Sequence, residues 1–142
     1  MIYWDTCCVL KLYARESDSE FWLKTAAKET SALHISQLTR SELAFALVAK
    51  EQRKELKPGA ADILLSKFEQ DIQRGLYHPI PLSISVIDRS TRLARHLRQL
   101  GLRTLDGLHL ATALESGCSR IATQDRRLLK ATQEAGLESL TH

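Results

Sequence analysis

Short apolar runs without polar alternation recur along this chain, and all but the last are followed by a stretch with helical periodicity. The runs are Ile2–Trp4, "ALHIS" at Ala32–Ser36, "HPIPLS" at 78–83, "RIAT" at Arg120–Thr123 and "LESL" at 137–140. A strand that is apolar at successive positions is buried on both faces, as happens inside a parallel sheet covered by helices. The periodicity predicts helices over Thr6–Tyr13, Ser19–Lys28, 38–56, Ala60–Tyr77, Val86–Leu100, Thr104–Glu115 and Asp125–Ala135. Leu64, Phe68, Ile72 and Leu76 form a four-residue stripe in the fourth of these, and Ile87, Ala94, Leu97 and Leu100 one in the fifth. The two prolines of "HPIPLS" limit that run to a short strand or an edge piece. The expected class is therefore α/β, a three-layer α/β/α sandwich on a parallel sheet. With 142 residues, 1–142 is expected to be a single domain with a substantial core.

In such a fold ligands bind beyond the carboxyl ends of the strands, and that edge collects acids. Asp5 ends the first strand and Asp125 follows "RIAT"; Glu42 and Asp106 sit near the starts of two helices. Each has an ordinary explanation as a capping group, and Thr39-Arg40-Ser41-Glu42 has the spacing of a capping box. Capping does not require convergence, however. Like charges about 4 Å apart repel by several kcal/mol at an intermediate dielectric. A cluster of four implies either protonated acids or a bound cation. Oxygen ligands select a hard cation, Mg²⁺ or Mn²⁺, and such an ion suits phosphoester hydrolysis.

Composition is compatible with that chemistry. Net charge is +3; Lys/Arg and Asp/Glu balance through Ser85, and the excess lies wholly after it. Three cysteines, two of them adjacent, suggest neither a disulfide framework nor a zinc site. The basic-free start and the lack of a long apolar run point to a cytoplasmic protein with no membrane segment.

With these residues in view, the chain resembles the PIN-domain proteins, and most closely their VapC-type toxins. The resemblance spans nearly the whole length. It rests on "IYWDTCCVLKLYARE", "LTRSELAFAL", "LRTLDGLHLATAL" and "RIATQDRRLLKA", each carrying one family acid in the family's order: Asp5, Glu42, Asp106 and Asp125. It implies a five-stranded parallel sheet and an Mg²⁺- or Mn²⁺-dependent endoribonuclease, the toxin of a type II toxin–antitoxin pair. Such an enzyme hydrolyses RNA to 5′-phosphate and 3′-hydroxyl ends. By the resemblance, Asp5 and Asp106 are the principal metal ligands and Glu42 and Asp125 complete the set. Thr6 and Thr123 supply hydroxyls that fix these acids. It further implies a cognate antitoxin partner and a homodimer. Two positions depart from the common pattern: Cys7 stands where many relatives carry a small hydroxyl residue, and Gly107 where many carry Ala.

Other folds fit less well. A haloacid-dehalogenase-type site needs an acid two residues after the first, where Cys7 stands, and a receiver domain needs one after a middle strand, where "ALHIS" offers none. The alternative from another class is a non-catalytic PIN-fold binding module. His109, three residues after Asp106, reads as a packed histidine that orients Asp106. Arg89, Arg92, Arg95 and Arg98 read as a solvated helix face, whereas Arg126 and Arg127 flank Asp125 at the mouth of the expected site. Phe21, Trp22 and the Phe68 stripe read as core.

Overall fold

β1 (Ile2–Trp4) occupies the centre of a five-stranded sheet in the order β3-β2-β1-β4-β5, with every neighbouring pair parallel. The computed structural model describes residues Met1 to His142. The other strands are β2 (Leu33–Ser36), β3 (Tyr77–Ile80), β4 (Arg120–Ala122) and β5 (Glu138–Leu140). Helices α1 (Thr6–Tyr13), α2 (Ser19–Ala27), α3 (Leu38–Gln52) and α4 (Ala60–Gln73) connect β1 through β3. Helices α5 (Ile84–His96), α6 (Thr104–Glu115) and α7 (Arg126–Glu134) serve β4 and β5. The expected five-stranded α/β/α arrangement is what forms.

The strands divide the core in two. Ile2 and Trp4 point into a cluster with Val9, Trp22, Leu43, Leu47 and Phe68, from the α1–α4 layer. Tyr3, between them in sequence, points the other way, toward Leu97, Leu110, Leu128 and Ala131 of the α5–α7 layer. This two-sided burial is why the runs lack polar alternation. Phe21, Trp22 and Phe68 pack as read from sequence, with Trp22 and Phe68 fully buried.

Boundaries of three helices, and the apolar stripes of two of them, differ from expectation. α4 stops at Gln73 because Gly75 takes φ +79°, and the Leu76 N–H then reaches back to the Asp71 carbonyl at 3.0 Å, a Schellman closure. Leu76 therefore lies outside the helix and is 54% exposed rather than ending its apolar stripe. α3 ends at Gln52, where Lys54 turns left-handed at φ 60°. α5 begins at Ile84 because the Ser83 hydroxyl accepts the Val86 N–H, and it gives way at Leu97 to a 3₁₀ turn, Arg98–Leu100. Its buried face runs through Val86, Leu93 and Leu97, so Ile87 and Ala94 are exposed.

β3 is both short and at the sheet's edge, consistent with its prolines, and includes Pro79. No helix is long and apolar enough to cross a membrane. Cations are distributed unevenly. Through Ser85, Lys11, Lys24, Arg40, Lys50, Arg53 and Lys67 each reach a carboxylate; beyond it only Arg89 does, on Glu115.

The turn between α1 and α2 is tied by a buried ionic network. Asp18, 9% exposed, accepts from Lys11 Nζ at 2.7 Å and from Trp22 Nε1 at 3.0 Å, and Lys11 also meets Glu16 at 2.7 Å. Burial alone would raise the Asp18 carboxyl, but the Lys11, Trp22 and Gln124 hydrogen bonds outweigh it and lower it to about 2. That lies below the ordinary carboxylate value of about 3.9, so the network's contribution is complete above about pH 4 and fades as pH falls toward 2. Asp18→Asn is expected to cost about 2 kcal/mol at pH 7. Paired urea melts should show this difference shrinking between pH 4 and pH 2.5; a difference constant across that range would contradict the assignment.

Candidate active site

The chain reverses its direction of travel across the sheet between β1 and β4, where an open α/β sheet leaves a crevice at the strands' carboxyl ends. Asp5 stands there. Its N–H makes the closing ladder bond to the Ala122 carbonyl at 3.0 Å, and its Oδ1 caps α1 by accepting from Thr6 N at 2.7 Å. Its Oδ2 accepts from Thr123 Oγ1 at 2.7 Å, across the adjacent strand end, and from Cys7 Sγ at 3.1 Å. Asp5 is thus both cap and buried acid, only 7% exposed. Capping and convergence coexist here.

Asp125 caps α7, its Oδ1 accepting from Arg127 N at 2.8 Å and Leu128 N at 2.9 Å, and its own N–H donates to Thr123 Oγ1 at 3.1 Å. Asp106, in the first turn of α6, accepts from Arg103 N through Oδ2 at 3.0 Å. Glu42 does not form the predicted capping box. α3 starts at Leu38, which leaves no acid in its first turn and puts Glu42 in the second. Thr39 is instead fully buried, and its hydroxyl lies 3.2 Å from that of Thr6, to which it can donate while Thr6 donates to Glu42.

All four acids line one cavity of about 540 Å³, together with Thr6, Cys7, Arg103 and His109. Glu42, Asp106 and Asp125 share one feature. Each engages one carboxylate oxygen in holding the fold, and the other accepts no hydrogen bond. No three of the chain's acids, cysteines and histidines stand close enough to form a ready-made metal cage. The donors fit a hard cation in kind, being carboxylate oxygens around one cavity, with three oxygens left over.

His109 is where the structure departs most from the sequence reading. It is 3% exposed, and its partner is Glu42, not Asp106: Nε2 lies 2.6 Å from Glu42 Oε1 and 3.6 Å from Asp5 Oδ1. On its far side Nδ1 meets the Tyr3 hydroxyl at 2.5 Å. Burial alone would favour neutral imidazole, but the Glu42 hydrogen bond and the charges of Asp5, Glu42 and Asp106 raise its pKa. Burial would likewise raise Glu42, but His109, with help from the Thr6 hydroxyl, brings it below its ordinary value. Repulsion among the acids is therefore also eased from within, by a histidine that hydrogen-bonds one of them. A histidine three residues from an acid was the available signal, but its partners come from β1 and α3, which no local spacing discloses.

Gly107, beside Asp106, is buried in α6 without a positive φ, and a Cβ built on it meets nothing within 4 Å. Gly107→Ala is expected to stabilise the protein by about 1 kcal/mol through helix propensity. A thermal melt would register this as a rise of several degrees; a fall would mean that the helix start needs the freedom of glycine.

Comparison with known proteins agrees with this architecture. The family model described as "PIN domain" matches residues 2–134. The chain is 32% identical over 142 residues to Ribonuclease VapC46 of Mycobacterium tuberculosis (strain ATCC 25618 / H37Rv), covering 96% of this chain and 93% of the relative. It superposes on the crystal structure of FitAcB from Neisseria gonorrhoeae with TM-score 0.72 at 19% identity, covering 99% of this chain and 96% of that one. Against VapBC2 from Rickettsia felis, bound to a DNA fragment from their promoter, the TM-score is 0.68 at 18% identity, with coverage of 100% and 99%.

Proposed function

This chain belongs to the PIN domain family and is of its VapC toxin type, and from that premise we propose that it is a divalent-metal-dependent endoribonuclease acting as the toxin of a type II toxin–antitoxin pair. The observation that carries this reading is the single cavity lined by Asp5, Glu42, Asp106 and Asp125, three of which turn an unused oxygen away from the fold's own hydrogen bonds. Mg²⁺ or Mn²⁺ held by these acids would lower the pKa of a water and offset the charge of a phosphodiester. Asp5 and Asp106 are the principal ligands in this reading, and Glu42 and Asp125 complete the set. Thr123 and Thr6 keep the Asp5 and Glu42 carboxylates in place through their hydroxyls.

RNA as substrate is supported by charge. Arg103 lines the cavity, Arg126 and Arg127 follow Asp125, and none of the three has a carboxylate partner within reach. Cations left unpaired at a site's rim are available to phosphates. A cognate antitoxin and a homodimer complete the proposal. Light scattering of the purified chain, alone and with the antitoxin co-expressed, tests both, a monomer alone contradicting the dimer and separate elution contradicting the partner.

The direct test incubates the purified chain with a structured RNA. Cleavage is expected with Mn²⁺ or Mg²⁺, leaving 5′-phosphate and 3′-hydroxyl ends, and is expected to cease with excess chelator and return on adding metal. Cleavage indifferent to chelator would overturn the mechanism. The lack of a ready-made metal cage favours one rival, the non-catalytic binding module. Calorimetry separates them, since a module without turnover has no need to take up Mn²⁺.

A further inference from the structure

We propose that His109, backed by the Tyr3 phenol, is a positioning residue that clamps Glu42 so that only its Oε2 faces the cavity. This rests on the reading above only in taking Glu42 as a functional acid. Glu42 Oε1 receives two groups, Thr6 Oγ1 at 2.8 Å and His109 Nε2 at 2.6 Å, while Oε2 receives none. A glutamate at the second turn of a helix ordinarily samples many rotamers, and fixing it costs side-chain entropy. Here the fold meets that cost before any ligand arrives. The clamp is rigid because its parts are buried: Tyr3 is 0%, His109 3% and Thr6 7% exposed. It is also assembled from both helical layers. Glu42 belongs to α3 and Thr6 to α1 on one side of the sheet; His109 belongs to α6 on the other, and Tyr3 reaches it from the central strand.

The donor pattern follows from the neighbours. Nε2 faces Glu42 at 2.6 Å and Asp5 at 3.6 Å, so a bare nitrogen lone pair there would oppose two carboxylates. Nε2 must carry a hydrogen. Nδ1 then either accepts from the Tyr3 hydroxyl or donates to it, and both forms leave the Nε2–H on Glu42. Fixed on both ring nitrogens, the imidazole cannot turn, and Glu42 is left a single free oxygen. The consequence is a glutamate restricted to one-oxygen coordination, oriented before a cation is bound.

The test compares the wild-type chain with His109→Gln, His109→Leu and Tyr3→Phe. In the metal-free protein, ¹⁵N spectra of the His109 ring are expected to show a proton on Nε2; a bare Nε2 beside a protonated Nδ1 would overturn the proposal. Calorimetric titration with Mn²⁺ is expected to show affinity about 10- to 100-fold weaker in His109→Leu, the usual cost of losing a ligand's supporting partner. Gln can present an N–H at a similar position, so His109→Gln should recover most of the loss and Tyr3→Phe should fall between. Equal weakening in Gln and Leu variants, with matching melts, would reduce His109 to a space-filler and refute the clamp. Should the wild-type take up no Mn²⁺, the metal reading fails, and the metal-free ring spectra decide the clamp by themselves.

Discussion

Asp5→Asn is expected to lower RNA cleavage by about a thousandfold while leaving the melting temperature within a few degrees of wild-type. The activity loss follows from charge. A bound divalent ion supplies several kcal/mol of stabilisation to developing charge, and roughly 4 kcal/mol corresponds to about a thousandfold in rate. The neutral amide cannot hold such an ion as a carboxylate does. Stability is preserved for a local reason. Asn keeps one oxygen for the Thr6 N–H that Asp5 now accepts, and the Thr123 hydroxyl, at present a donor to Oδ2, can turn and accept from the amide. Removing one negative charge next to Glu42 also relieves repulsion in the cavity. Initial rates on a structured RNA, beside a thermal melt of each protein, measure both halves. Full activity in a folded Asp5→Asn protein would remove Asp5 from the chemistry.

The second large effect is structural. Trp22→Ala is expected to destabilise the fold by about 3–5 kcal/mol, a large share of the 5–15 kcal/mol typical of a domain. Trp22 is fully buried, edge-on to Trp4 at 5.8 Å between ring centroids and to Phe21 at 5.0 Å. Its indole N–H is also one of the donors that keep Asp18 charged. Deletion therefore leaves a cavity beneath β1 and weakens the acid that ties α1 to α2. Leu23, next in the same helix, is half exposed, and Leu23→Ala should move stability by no more than about 0.5 kcal/mol. Urea unfolding of the pair measures the contrast; similar midpoints would mean that Trp22 is not the anchor described.

The parts legible in sequence were those governed by local pattern. Strand positions were visible because burial on both faces erases polar alternation, and Asp5, Asp106 and Asp125 were visible because each also serves the start of its own helix. Boundaries were less legible where one residue's φ decides them, as at Gly75, or where a cap lies outside the periodic segment, as at Ser83. The core face of α5 was misread at its start because Ile87 and Val86 are equally apolar in sequence, and only the packed fold buries Val86 and leaves Ile87 out. Glu42 was legible as one of the four acids, but the capping box read around it does not form because α3 begins at Leu38. The burial of His109 was legible but its partners were not, since Tyr3 lies 106 residues away and Glu42 67. Contacts at such separations follow from topology, and strand order has no local signature.

The outer strand carries one more consequence. The carbonyls of Leu76 and Ile80 accept from Leu33 of β2 and from Gln37 just past its end, so by the two-residue period Tyr77 and Pro79 turn their backbone groups outward. The second of these has no N–H to offer. An extended segment from another molecule, arriving at this margin to lengthen the sheet, finds a gap where a donor should be. Growth of ordered fibrils from that side is thereby discouraged by a single imino acid, so concentrated solutions should resist thioflavin-positive aggregation, and Pro79→Val should be the change that invites it.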